Sequence, residues 1–231
     1  MKLSNKILIV TAFTLCAFVF SEQRAQAATA PNLGVATGYS VFGNAGITNT
    51  GSGTHVWGDV GDNAFLHPGL ISSQVAGTID GAGNVAVVNA IASAYGDLAG
   101  ESATGSLDLA GTNTVTPGVY TIGATTLNGT LTLNGAGVYI FRSSSSITTS
   151  GTAQVRLING ATPCNVFWQI PTSMTIGTNS AIVGSILTNT GLISLANGAS
   201  LQGRAWAHTQ VTMDNNQITE PVCTASLTAR Q

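Results

Sequence analysis

The chain has 231 residues, 28 of them glycine and 31 threonine, and its 7 Lys+Arg and 9 Asp+Glu give a net charge of −2. Charged residues amount to 7%, against about 25% in an ordinary globular domain. So few cations exclude a nucleic-acid binder, which needs a basic surface. The 44% hydrophobic content and low net charge exclude disorder by composition.

The N-terminus has the pattern of a secretory signal peptide. A basic start with Lys2 and Lys6 precedes an apolar run over residues 7–20, and Ala25 and Ala27 supply the small-residue cleavage pattern. We therefore predict a signal peptide over residues 1–27 and one mature domain over residues 28–231. The apolar run is too short for a stable membrane span. The protein is expected to be secreted, extracellular or periplasmic, without a membrane partner.

Cleavage would remove Cys16 and leave an even pair, Cys164 and Cys223. In an oxidising compartment such a pair favours one disulfide. The alternative, a metal site, lacks the clustered His or Cys partners that zinc needs. We predict a disulfide that pins the C-terminal tail, and no metal site.

From about residue 104 to residue 219, short segments alternate apolar residues with Thr, Ser or Gln and are separated by Gly and Asn. Period-2 alternation between turn residues indicates many short strands. This series of strands fits an antiparallel sandwich or barrel, and it also fits a solenoid. A weak register favours the solenoid, because the segment ending at Gly184 recurs at Gly203, 19 residues later.

Residues 84–99 differ, because their apolar side chains recur at helical spacing. Asn84 is a plausible N-cap and Gly100 a plausible stop. The predicted buried stripe comprises Val85, Val88, Ile91, Ala92, Tyr95 and Leu98. We expect this helix to lie along the solenoid and to pack on a face whose bulky residues point outward as well as inward, for which the candidates are Tyr139, Phe141, Phe167 and Trp168.

Two loops could hold ligands. Residues 80–86 resemble a dinucleotide-binding turn, but that fold needs repeated βαβ units and only one helix is predicted. Asp59, Asp62 and Asn63 could bind calcium, although a tight turn explains the same residues. We therefore predict no cofactor and no metal.

Catalysis is not favoured. His55, His67 and His208 supply imidazoles for a triad, but no Ser lies in a nucleophile elbow of the GxSxG kind. The acids are too few to offer the paired carboxylates of glycosidases. We predict a protein that is not an enzyme.

Four predicted strands, residues 146–150, 173–177, 192–196 and 210–214, carry a hydroxyl at their centre. If they stack at about 4.8 Å, Thr148, Thr175, Ser194 and Thr212 point outward in register, with Ser146, Ser173, Gln210 and Ala196 at the margin. Ordinary surfaces mix in charges, yet Arg156 and Arg204 fall on strands of another face. A rigid, uncharged plane of methyl and hydroxyl groups suits ordered water that merges with an ice plane.

Several short segments together resemble the microbial ice-binding (antifreeze) proteins of the DUF3494 type. They are residues 47–51 (ITNTG), 58–61 (GDVG), 116–120 (TPGVY), 163–169 (PCNVFWQ), 211–216 (VTMDNN) and 218–219 (IT). The resemblance implies a mainly β fold, a discontinuous right-handed β-solenoid of triangular cross-section with one α-helix alongside. It also implies thermal hysteresis and inhibition of ice recrystallisation, with a flat solenoid face as the ice site. We expect a monomer whose partner is the surface of an ice crystal.

Two alternatives remain at this stage. A cell-surface adhesive or carbohydrate-binding solenoid would be favoured if Trp57, Trp206 and Tyr39 were exposed together. A polysaccharide-acting enzyme would require a cleft with converging acids or bases.

Overall fold

The structure, a computed structural model, describes residues 27–223 apart from residues 65, 82 and 124. The predicted signal peptide therefore lies outside the described residues, except for Ala27. The chain is mainly β, with one α-helix between an N-terminal group of strands and a longer C-terminal series.

Strands β1 to β5 precede the helix at Tyr39–Gly43, Gly46–Asn49, His55–Trp57, Asp59–Asp62 and Ile79–Asp80. The helix, α1, spans Val85–Gly100. Strands β6 to β20 follow at Gly105–Leu107, Asn113–Val115, Gly118–Ile122, Thr126–Leu127, Thr130–Asn134, Tyr139–Ser143, Ile147–Thr149, Gln154–Ile158, Val166–Ile170, Met174–Ile176, Ala181–Thr188, Ile193–Leu195, Ser200–Ala207, Gln210–Met213 and Gln217–Thr219. Short 3-10 helices cover Gly34–Gly38, Ser72–Gln74 and Pro163–Asn165.

Parallel pairing stacks these strands into three faces. The helix face runs in the order β5-β4-β1-β18-β16-β14-β11-β8-β6. The side face contains β7, β10, β13, the first halves of β16 and β18, β20 and β3. The threonine face is a separate sheet in the order β2-β19-β17-β15-β12-β9. Three faces around one interior give the triangular solenoid that the resemblance implies.

Glycine makes the corner between the side face and the helix face. Strands β16 and β18 belong to both faces and pair Gly184 with Gly203. Gly184 has a φ of +110°, and a Cβ on Gly203 would clash with the carbonyl oxygen of Gly184. The pairing confirms the 19-residue register predicted from the sequence.

The stack is discontinuous in chain order. Strands β1, β2 and β3 pair with β18, β19 and β20, so the N-terminal coil lies beyond the C-terminal coils. Helix α1 connects β5, at this end of the helix face, to β6 at its other end. About 24 Å of helix thus carries the chain back along the outside of the solenoid.

The predicted helix boundaries are correct to within one residue, but the predicted stripe is partly wrong. Val87, Ile91, Ala94 and Leu98 are buried, whereas Val85 is 57% exposed. The helix has apolar residues around much of its circumference, so periodicity alone fixes its orientation poorly. The Asn84 side chain does not cap the helix; its amide donates to the Asp62 carbonyl at 3.3 Å.

The helix contacts β11 and β14 on the predicted face, but only one of the four aromatics named for that face lies beneath it. Phe167 packs under α1, whereas Tyr139, Phe141 and Trp168 point into the solenoid interior. There the rings of Phe141 and Trp168 lie 4.4 Å apart. The helix instead covers a set of apolar residues from the neighbouring strands: Phe42, Val119, Ile140, Leu187 and Trp206.

The predicted disulfide is present, with Cα atoms of Cys164 and Cys223 5.6 Å apart. It joins the segment after β20 to the 3-10 helix at Pro163–Asn165, which precedes β14. Within the described part of the chain, no helix has the length and apolar content needed to cross a bilayer.

Candidate functional site

The threonine face carries one continuous row of hydroxyl side chains. Register pairs Thr148 with Thr175, Thr175 with Ser194, and Ser194 with Thr212. The four residues predicted for the centre of the face are therefore adjacent in one row. Thr212 pairs further with Thr48, and Thr148 with Thr126, so the row has six members. With about 4.8 Å between strands it is about 24 Å long.

Strand alternation explains why these hydroxyls face outward. Ile147, Met174, Ile193 and Val211 precede the row members and are fully buried. The residues that follow are buried as well, among them Ile176 and Leu195. Except at β9, where the preceding residue Thr125 is half-buried, each strand has a buried residue on both sides of its central Thr or Ser. Side chains in a strand point alternately to opposite faces. The central residue therefore points to solvent.

Hydrogen bonds at the back of the face fix its corner with the side face. The Thr149 hydroxyl is buried and donates to Ser180 Oγ at 3.0 Å, while it accepts the Gly177 N–H at 2.8 Å. Further along the solenoid, between the coils of β17 and β19, the buried Asn216 amide donates to the carbonyl oxygens of Ala196 and Ala199 at 2.8 and 3.0 Å. Satisfied buried polar groups rigidify their surroundings, so the outer surface has a firm base.

The row members differ in exposure. Thr126, Thr148 and Thr175 are exposed, whereas Thr48, Ser194 and Thr212 are half-buried. Thr212 donates its hydroxyl hydrogen to Ser194 Oγ at 2.9 Å, along the row. Between these two strands the hydroxyls are thus oriented by each other.

The marginal residues lie on both sides of the central row. Ser146, Ser173 and Gln210 occupy one side, and Ala196 lies on the other. Ser146 Oγ is 2.8 Å from Thr172 Oγ1, and Ser173 Oγ accepts the N–H of Leu192 at 3.3 Å. The Ser173 hydroxyl is therefore partly engaged by the backbone.

The face is almost free of charge. Its six strands contain no Lys, Arg, Asp or Glu, and the nearest acid, Asp214, directly follows β19. Asp214 accepts amide hydrogens from Asn197 at 3.1 Å and from Asn215 at 3.0 Å. Arg156 is exposed on the side face, and Arg204 is 2% exposed at the bend of β18. Both arginines lie off the threonine face, as predicted.

The loop acids have structural partners. Asp62 is buried; its Oδ1 accepts the N–H groups of Ala64 and Leu66, and its Oδ2 lies 3.2 Å from His67 Nδ1. Asp59 Oδ1 accepts both the N–H and the hydroxyl of Thr78. In the described ranges, no three His, Cys, Asp or Glu residues are grouped so as to hold a metal ion.

The aromatic platform that would favour carbohydrate binding is not formed by the three predicted residues. Trp206 is fully buried, and its indole N–H donates to the Tyr39 carbonyl at 2.8 Å. Tyr39 is half-buried and donates its hydroxyl to Asp80 at 2.9 Å. Burial, reinforced by this bond, raises the pKa of Tyr39 to about 12. Only Trp57 of the three is substantially exposed, at 42%.

The sequence is similar to those of ice-binding proteins. The model of the ice-binding-like family matches residues 41–219. An ice-binding protein of Nostoc sp. (strain HG1) is 36% identical over 234 residues, covering 94% of this chain and 84% of the relative.

Two solved structures share the fold. An ice-binding protein from the Antarctic ascomycete Antarctomyces psychrotrophicus superposes with a TM-score of 0.75 at 29% identity, covering 83% of this chain and 98% of its own. The DUF3494 domain of Shewanella frigidimarina ice-binding protein 1 superposes with a TM-score of 0.77 at 26% identity, covering 85% and 100%. With a match over most of its length, the chain belongs to the ice-binding-like family.

Proposed function

We propose that the protein is a secreted, non-catalytic ice-binding protein that adsorbs to ice through its threonine face. The observation that carries the proposal is the in-register row of six hydroxyl residues on a sheet without charged side chains. Membership of the family, and the chain's similarity to the ice-binding protein of Nostoc sp., support ice as the ligand.

The chemistry of the row suits ordered water. Each Thr presents a methyl and a hydroxyl, and its branched Cβ restricts the side-chain rotamer. Neighbouring strands repeat these groups every 4.8 Å or so. Because side chains that are already ordered lose little entropy on binding, the face can hold a water layer in a fixed pattern. Mobile, strongly hydrated Lys and Glu would disturb such a layer, and the six strands have neither.

Thr175→Arg tests this proposal. Thr175 is exposed at the middle of the face, so a long cation there should abolish most of the thermal hysteresis without unfolding the chain. The matched control is Thr114→Arg, because Thr114 is an exposed strand residue on the side face. The melting temperature of both variants should remain close to that of the wild type.

Comparing the thermal hysteresis of the two variants distinguishes the threonine face from the side face. Hysteresis lost in Thr175→Arg and retained in Thr114→Arg is the expected outcome. The reverse pattern would assign ice binding to the side face, and hysteresis retained by a folded Thr175→Arg protein would contradict the proposal.

A further inference from the structure

A groove of about 640 Å³ lies where the side face meets the helix face. Its walls come from the end of β3, the bend of β18, and the segment that follows β20. The lining side chains that matter here are Trp57, Arg204, Glu220 and Val222. The size falls in the range of small-molecule sites, about 300–1,000 Å³.

The floor of the groove holds a buried ion pair. Arg204 is 2% exposed; its Nε donates to the Thr37 carbonyl and its Nη2 to Glu220 Oε1, each at 3.0 Å. A guanidinium has five N–H donors, and the others on Arg204 have no acceptor among the described residues. The Glu220 carboxylate is 30% exposed and accepts at one oxygen. The pair therefore offers donors and an acceptor side by side, with no net charge.

One wall is an exposed indole on a fixed backbone. The Trp57 carbonyl accepts the Ser40 hydroxyl at 2.9 Å and the Glu220 N–H at 3.0 Å. The ring of His55 lies 4.2 Å from the Trp57 ring, centre to centre. Trp57 is nevertheless 42% exposed, and Val222 is 92% exposed. Apolar surface beside oriented polar groups is the composition of a ligand site.

We propose that this groove binds one pyranose ring of a neutral polysaccharide. A sugar ring has an apolar C–H face, which stacks on the Trp57 indole. Its vicinal hydroxyls both donate and accept, so one accepts from the Arg204 guanidinium while its neighbour donates to Glu220. Because the ion pair is neutral overall, a neutral sugar fits better than an anionic one.

The position of the groove suggests its use. In a solenoid of three faces, the edge between two faces lies opposite the third. The groove therefore points away from the threonine face, so that a protein adsorbed to ice would keep it open. This bridging role, unlike the site itself, rests on the proposed ice-binding function. The protein would then link ice to a matrix polysaccharide.

Intrinsic fluorescence tests the site directly in the full chain. Trp168 and Trp206 are fully buried, so Trp57 is the exposed one of the three tryptophans. Cellohexaose, mannohexaose and chitohexaose serve as neutral probes, and oligogalacturonate as the anionic one. At least one neutral probe should change the emission saturably, with a matching calorimetric isotherm.

Trp57→Ala should weaken that binding by about tenfold or more, and Glu220→Gln should weaken it with the indole intact. Gln202→Ala is the matched control, because Gln202 is exposed on the side face and does not line the groove. No binding of any neutral probe, binding of oligogalacturonate alone, or affinity unchanged in both groove variants would overturn the proposal.

A substitution in the groove or on the threonine face should abolish the function of that site alone. Thr175→Arg should leave sugar binding intact, and Trp57→Ala should leave thermal hysteresis intact. Sugar binding by a protein without hysteresis would support the groove and overturn the bridging role.

Discussion

Removing the disulfide between Cys164 and Cys223 should lower stability strongly while sparing ice binding. The bond closes a loop of 59 residues, which contains three of the six strands of the threonine face, β15, β17 and β19. For a loop of that length the chain-entropy model gives about 4 kcal/mol of stabilisation, through restriction of the unfolded chain.

Each kcal/mol shifts Tm by about 2–4 °C in a domain of this size. The double variant Cys164→Ser/Cys223→Ser should therefore melt about 8–16 °C lower by calorimetry. Near 0 °C the variant should still be folded. Its thermal hysteresis should match that of the wild type, because neither cysteine lies on a threonine-face strand.

Reduction of the wild type provides the control, since a reductant should lower its Tm to that of the variant and leave the variant unchanged. An unaltered Tm in the double variant would refute the loop-closure reasoning. Loss of hysteresis in a folded variant would refute the separation of the C-terminal segment from the ice site.

Two further predictions concern single side chains. Thr212→Val keeps the methyl and removes the hydroxyl bonded to Ser194. The variant should lose about 1 kcal/mol of unfolding free energy and should lose less hysteresis than Thr175→Arg does. An equal loss of hysteresis would contradict a role for the methyl groups. The pKa of Tyr39, raised from 10.0 to about 12 by burial, means that the folded state holds this proton more tightly than the unfolded chain. Its stabilising contribution is complete below pH 10 and is lost as the pH rises toward 12. The Tyr39→Phe variant should therefore show a smaller fall of Tm between pH 10 and pH 12 than the wild type. An identical fall in both proteins would show that Tyr39 does not cause it.

The sequence predicts the centre of the threonine face well because each strand there is short and clearly alternating. Thr175 stands between Met174 and Ile176, and both neighbours need burial. Thr126 escapes notice because β9 is only two residues long. Thr48 escapes notice because it stacks on Thr212 across the discontinuity, which no local pattern encodes.

The aromatic residues of β11 and β14 show where periodicity fails. The segment Tyr139–Phe141 is apolar at every position, since one side of the strand faces the interior and the other faces the helix. A strand buried on both sides carries no alternation, so the sequence cannot tell which residues α1 covers. The groove beside Trp57 is likewise invisible in the sequence, because Arg204 and Glu220 meet Trp57 only through stacking of separate coils.

The order of the coils has a consequence for how the chain is made. Val41 pairs with Ala205, so β1 cannot reach its place until nearly the whole polypeptide has emerged from the ribosome. Contacts that join distant parts of a sequence slow folding. A chain whose first strands must wait for its last is poorly suited to early collapse, which is compatible with the secretion proposed above.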